Sequence, residues 1–249
     1  MCFQQWKDYF TFNQQHFAHI NFNEADLFCV LEQQRFAASL QQFQKGEHSE
    51  GKHLMYYAKQ YGDPYYIDAI KLFIKEEQTH ALVLGKFLDK HGIVRIKHHW
   101  VDGVFRGLRQ LSGIQNTVTI LLVAEIISKV YYKALLKATT SQMLQDICIQ
   151  ILKDEEKHLH FQCTTIRQLQ KHSTSVYKFL WQQYLLSVLT GTIAVVWMYH
   201  NPILKEGGLS FQLFAEANYA IAHELLQMIK GQKEIPSALE PVIQEKLIA

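Results

Sequence analysis

The chain has 249 residues, 48% of them hydrophobic and 19% charged, with a formal net charge of +2. That length suits one large domain or a domain with an extension, and the near-neutral balance argues against a nucleic-acid partner. Its four cysteines (Cys2, Cys29, Cys148, Cys163) show no C-x-x-C spacing, which argues against a disulfide scaffold and against an attached cysteine-bound metal module.

With four prolines and few glycine-rich runs, long segments of period near 3.6 predict an all-α protein. Met1 to His19 is polar and aromatic and lacks the apolar stretch of a signal peptide, so a cytoplasmic location is expected. Residues 1–23 read as an irregular or loosely packed N-terminal arm. A first helix carries the seam Phe36, Leu40, Phe43, Glu47, Glu50, Leu54, Tyr57, Tyr61, whose spacing faces a core. Tyr61-Gly62-Asp63-Pro64 then supplies a C′ glycine, an N-cap aspartate and an N1 proline in succession, predicting a tight hairpin into a second helix. That second helix carries Glu77-Gln78-Thr79-His80.

Gly92 to Gly113 reads as the connection between two hairpins. Its His98, His99, Trp100, Arg106 and Arg109 are read as a solvated crossing rather than a nucleic-acid patch or metal ligands. A third helix shows the seam Ile114, Val118, Leu121, Glu125, Ser128, Tyr132, Leu135, and a fourth carries Glu155-Glu156-Lys157-His158. Ala138-Thr139-Thr140-Ser141 joins them with hydroxyl caps. Val176 to Tyr199 is apolar, but Lys178, Gln182 and Gln183 interrupt it short of a membrane span. It is expected to be a buried fifth helix along the bundle, so no membrane partner is expected, and a last helix from Ser210 to Lys230 caps it. The chain thus divides into an arm (1–23), a four-helix metal-binding bundle (24–172) and a C-terminal helical extension packed on it (173–249).

The chemistry lies in a repeat. Glu47, Glu77 and His80 recur 78 residues later as Glu125, Glu155 and His158. A lone Glu-x-x-His says little in a chain with 13 histidines. A third one, Glu50-Gly51-Lys52-His53, has no counterpart, because the same shift lands on Ser128 and Tyr131. Residues three apart share a helix face, so each Glu-x-x-His pair can hold one ion. The lone glutamates lie on apolar seams, where a bare charge would cost many kcal/mol. Four carboxylates and two imidazoles in a bundle core make the ligand set of a carboxylate-bridged two-metal centre. Glu50 lies on the same seam as Glu47 and stands as the alternative first ligand, although Glu47 alone matches the spacing of the other half. Tyr57, Tyr61 and Tyr132 lie near the seams, where they could contribute hydrogen-bond donors, but are read first as packing residues.

These residues resemble the ferritin-like superfamily of di-iron carboxylate proteins, over roughly residues 30 to 170. The stretches Glu76-Glu77-Gln78-Thr79-His80 and Asp154-Glu155-Glu156-Lys157-His158 look like those of its oxidoreductase members. Gly46-Glu47-His48-Ser49-Glu50 is similar to a motif of aldehyde-deformylating oxygenases. The chain is longer than a ferritin subunit and lacks the cysteine-bound iron module of rubrerythrins, which directs the likeness to the oxygenase and oxidase branch. The resemblance implies a ferritin-like four-helix bundle of two antiparallel hairpins. It implies two iron ions, with manganese or a mixed pair open, each held by a histidine and a terminal carboxylate and bridged by two glutamates. Glu47 and Glu125 would be the lone-helix ligands, with Glu77, His80, Glu155 and His158 completing the set. The expected activity is oxidation of a small organic substrate with O₂. The alternatives are ferroxidase, iron-handling or peroxide-reducing chemistry, and a non-catalytic metal-stabilised scaffold. Many such bundles pair as homodimers, and nothing in this chain demands it.

Overall fold

The computed structural model describes residues 2–47, 51–97 and 113–238. Among them the protein is a helical bundle without strands. The helices are α1 (Phe3–Phe12), α2 (Val30–Glu47), α3 (Lys52–Tyr61), α4 (Pro64–Lys90), α5 (Ile114–Ala138), α6 (Gln142–Leu169), α7 (Ser175–Glu206) and α8 (Phe211–Lys230), with a short 3₁₀ turn at Asn13–Gln15.

The first half of the N-terminal arm is a docked helix, while residues 16–23 form irregular turns. Phe3, Trp6 and Phe10 recur at helical spacing on α1 and are all buried. Phe3 packs on Tyr66, Trp6 on Phe161, and Phe10 on both Phe73 and Phe161. The Trp6 indole donates to Thr164 Oγ1 at 3.2 Å, so its polar edge is satisfied inside the core. A stripe of three aromatics spanning eight residues docks this segment against α4 and α6.

The first seam does not lie on one helix. The described part of α2 reaches Glu47, and α3 is a separate helix that begins after Gly51, which adopts φ +62°. A β-carbon there would come within 2.4 Å of Ile74, so both the backbone conformation and the close approach to α4 require glycine. The predicted hairpin follows at once. Gly62 closes α3 with φ +83°, and the Asp63 side chain accepts from the Tyr66 amide at 2.9 Å, with Pro64 opening α4.

Helices α2 and α4 run antiparallel: Phe28 meets Phe87, Gln44 Nε2 donates to the Ala81 carbonyl, and Glu47 reaches the level of Glu77 and His80. Helices α5 and α6 form a second antiparallel pair through Thr139-Thr140-Ser141, with the Ser141 hydroxyl capping the Leu144 amide at 3.0 Å. Two buried acids tie this loop to the other pair. Glu32 accepts from the Thr140 amide (2.7 Å) and hydroxyl (2.9 Å), while Asp26 accepts from the Ser141 hydroxyl (2.7 Å) and meets His91 Nε2 at 3.0 Å.

Helix α7 is buried on one face only. Trp181, Leu185, Leu189, Ile193, Val196 and His200 form its inner stripe, running beside α5 in the same direction. Val176, Phe179, Leu180 and Met198 are exposed, so the expectation of a buried helix holds for half its circumference. By length and composition it could cross a membrane. Where α7 ends, a β-carbon at Gly207 would lie 2.4 Å from the Ala134 carbonyl, so glycine lets the chain close against α5.

If α1 is part of the core, Trp6→Ala should cost about 3–5 kcal/mol, the range for deleting a large buried aromatic. Chemical denaturation measures this. A change below about 1 kcal/mol would mean that the helix does not stay docked in solution.

Candidate metal centre

Four helices deliver the six repeated residues to one place. Glu47 lies on α2, Glu77 and His80 lie one turn apart on α4, Glu125 is near the middle of α5, and Glu155 and His158 lie one turn apart on α6. The antiparallel pairing sets their common height. Five of the six are buried and Glu77 is nearly so.

Their ligand atoms form two groups. Glu47, Glu77, His80 and Glu155 converge in one, and Glu77, Glu125, Glu155 and His158 in the other, with the atoms of each group within 4.8 Å of one another. Glu77 and Glu155 belong to both. Each group could therefore hold one ion, with a histidine and an unshared glutamate of its own and two carboxylates placed between the pair. Neither group contains a cysteine.

The inner atoms face only one another. His80 Nδ1, His158 Nδ1, Glu77 Oε1 and both oxygens of Glu155 are buried without a well-formed hydrogen bond, and His158 Nδ1 lies 3.0 Å from Glu77 Oε1 and 3.7 Å from Glu125 Oε2. Leaving such atoms unsatisfied costs about 1–3 kcal/mol each, and more when charged. A cation offsets that cost for all of them at once, so the donor set fits a metal pair.

The outer edges of the imidazoles are held. His80 Nε2 lies 3.1 Å from Asp154 Oδ2, and His158 Nε2 lies 2.8 Å from Glu76 Oε2. Each acid immediately precedes the glutamate of the opposite helix's Glu-x-x-His. The arrangement is therefore crossed: α6 grips the histidine of α4, and α4 grips the histidine of α6. Burial alone would raise the Asp154 carboxyl, but the bond and charge of His80 hold it below the ordinary range, as an acceptor. An ionised Asp154 accepts from His80 Nε2–H, and once the imidazole is neutral its Nδ1 lone pair would face inward.

Tyr132 is not merely a packing residue. Its hydroxyl donates to Glu47 Oε1 at 2.7 Å from a fully buried position. Tyr61 and Tyr57 have ring contacts elsewhere, Tyr61 against Phe3 and Tyr66, Tyr57 against Tyr56. Phe73 and Phe10 face His158, with ring centroids 4.8 and 6.1 Å away, and Phe17 faces His80 at 5.8 Å, walling the site with aromatic surface. Glu50, the alternative to Glu47, lies outside the described residues, as do His98 and His99. His53, from the third Glu-x-x-His, is exposed on α3.

The sequence reading missed Glu76, Asp154, Asn13 and His16, which surround the six. The acids had a signal: Glu76 and Asp154 obey the same 78-residue offset. Asn13 and His16 had none.

Without a cation, protons must do the neutralising. Burial and the charge of Glu77 push the Glu47 carboxyl up to about 8. Burial and the charge of Glu125 hold Glu155 well above its usual value. Burial would lower both imidazoles, but the surrounding carboxylates outweigh it, raising His80 to about 9 and His158 as well. Glu125 goes the other way: burial would raise it, but bonds to Glu155 and His158 hold it low.

The raised groups share one sign. A folded-state pKa above the unfolded value gives stability that is present at low pH and is lost as pH rises through the folded value. Glu125 acts only in the acid range. The metal-free protein should therefore lose stability between pH 6 and 9, by roughly 1 kcal/mol per pH unit for each titrating group. Thermal melts by circular dichroism after chelation measure this, and a flat or rising melting temperature over that window would contradict the clustering. Compared with known proteins, the chain matches no family model, no curated protein and no solved structure.

Proposed function

We propose that the protein is a ferritin-like di-metal carboxylate oxidoreductase, with iron as the preferred metal, that uses O₂ to oxidise a small organic substrate. The observation that carries this reading is the pair of four-donor groups sharing Glu77 and Glu155. Four carboxylates balance the charge of two divalent ions. Carboxylates with neutral imidazoles and no thiolate suit iron or manganese better than soft metals. When bound, a reduced pair supplies electrons to dioxygen at one point.

The chain's own residues would do the rest. Asp154 and Glu76 orient the imidazoles. Tyr132 holds Glu47 through one oxygen and leaves the other for an ion. Phe10, Phe17 and Phe73 keep water from the histidine side, which strengthens every charge interaction inside.

The test is metal content per chain after production in iron- and manganese-supplemented media, with an optical spectrum after anaerobic reduction and exposure to O₂. About two iron ions per chain and an oxygen-dependent near-ultraviolet band are expected. Glu125→Ala and His158→Ala should each bind less metal and melt lower in the metal-loaded state, because each loses a direct bond to an ion. Unchanged metal content in both variants would overturn the site. Multiple turnovers with Fe²⁺ or peroxide alone would shift the function to iron or peroxide handling. A protein that takes up no metal even after anaerobic reconstitution would be a helical scaffold.

A further inference from the structure

Outside the six-residue cluster, the most unusual buried group is the turn that leaves α1. We propose that Asn13 and His16 form a brace over the outer face of the metal pair, setting the orientation of both imidazoles and thereby the affinity for the ions. This rests on the two-ion reading above.

Glu76 and Asp154 project from facing helices and are 4% and 1% exposed. Each uses one oxygen to hold a histidine. Their remaining oxygens converge on a single amide: Asn13 Nδ2 lies 2.5 Å from Glu76 Oε1 and 3.0 Å from Asp154 Oδ1. An asparagine amide has two N–H bonds, one for each acid. The two carboxylates would otherwise repel across the gap, so the donor between them both offsets that repulsion and links α4 to α6. Gln150 Nε2 gives Asp154 Oδ1 a second donor at 2.9 Å.

His16 locks the turn. Its Nδ1 lies 2.5 Å from the Asn13 carbonyl, and its ring is wedged between the acids, 3.5 Å from Glu76 Oε1 and 3.6 Å from Asp154 Oδ2. The side chain is 3% exposed, and Nε2 has no hydrogen bond. His16, His80 and Asp154 also lie close enough to hold an ion of their own. That would require an imidazolate at His80, whose Nδ1 faces the inner cluster while Nε2–H serves Asp154, so the geometry favours a brace. Trp6 and Phe10, two turns and one turn before Asn13, dock α1 and so deliver Asn13 to the acids.

The full-length protein is titrated with Co²⁺, whose visible absorption reports both affinity and ligand geometry, in wild type, Asn13→Ala, Asn13→Asp, His16→Ala and Phe3→Leu. Melting of the metal-free forms serves as the fold control. Asn13→Asp keeps the shape but replaces the donor with an acceptor. Phe3→Leu loosens the far end of α1 without touching the acids. Wild type should bind two ions, and both Asn13 variants should bind them about 10–100-fold more weakly, the usual effect of losing an outer partner, with altered spectra. Phe3→Leu should lower melting of the metal-free protein and leave cobalt affinity and spectrum unchanged.

Wild-type affinity and spectrum in both Asn13 variants would overturn the brace alone. So would an equal loss in Phe3→Leu, which would make the effect one of folding. A third cobalt ion in wild type that disappears in His16→Ala would assign the turn to an ion site instead. A wild type that binds no cobalt would overturn the two-ion reading and the brace with it.

Discussion

The constraint on which this structure turns is the burial of six ionisable side chains at the meeting point of α2, α4, α5 and α6. Four carboxylates in so small a volume repel each other, and the medium around them screens weakly. Desolvation of even one ionised carboxylate is expensive. The bundle closes only because positive charge is supplied, as protons on His80, His158, Glu47 and Glu155 or as cations. The two forms of neutralisation differ in direction. Protons can settle the charge but leave the inner nitrogen and oxygen atoms poorly paired, whereas ions at the two shared positions engage them together. This is why the cluster could hold ions, and why it is a poor candidate for a network assembled for stability, since a buried ion-pair network is itself weak evidence of stability.

The neutralising centre has a supporting layer, and its symmetry follows the chain's internal repeat. Glu76 serves His158 and Asp154 serves His80, so neither Glu-x-x-His pair is complete within its own helix. Orientation of each imidazole depends on the packing of α4 against α6, here maintained by Phe73, Tyr66 and Phe161. The symmetry stops at the lone glutamates. Glu47 is steadied by the Tyr132 hydroxyl, whereas Glu125 faces His158 and Glu155. The position equivalent to Tyr132 in the first half is Leu54, which lies in the core of α3. One half of the site thus has a hydroxyl beside its terminal carboxylate that the other lacks.

Much of this was legible in the sequence because the signals were local or repeated. Helical periodicity gave the helices from Pro64 to Leu169, and Gly62, Asp63, Pro64 and Ser141 marked their ends through conformational preference and capping. The six clustered residues emerged from a common offset. The break between α2 and α3 was harder to read, since the apolar seam continues in phase from Phe43 to Leu54. Gly51 was the sign, and its necessity depends on Ile74, a neighbour only in the folded chain. The role of α1 was missed for a similar reason: Phe3, Trp6 and Phe10 form a stripe too short to announce a helix by itself, and they gain their stability from α4 and α6. Tertiary burial decided those elements, not propensity. On α7, apolar composition without a clear polar face suggested full burial, yet composition could not say that only one side has neighbours.

The C-terminal extension is coupled to the site through adjacent tyrosines. Tyr131 and Tyr132 are both fully buried on α5 and point to different neighbours. Tyr132 holds Glu47. Tyr131 stacks on Phe43 of α2, with centroids 3.4 Å apart, and its hydroxyl meets Ser39 Oγ at 2.8 Å. The same Ser39 oxygen lies 2.7 Å from His200 Nδ1 on α7. Rotating α5 to improve one contact would displace the other, because consecutive residues on a helix are separated by a fixed angle. The position of α7 against α2 therefore helps set the rotation of α5, and with it the hydroxyl beside Glu47. The extension expected to pack on the bundle thus becomes part of the mechanical frame of one carboxylate.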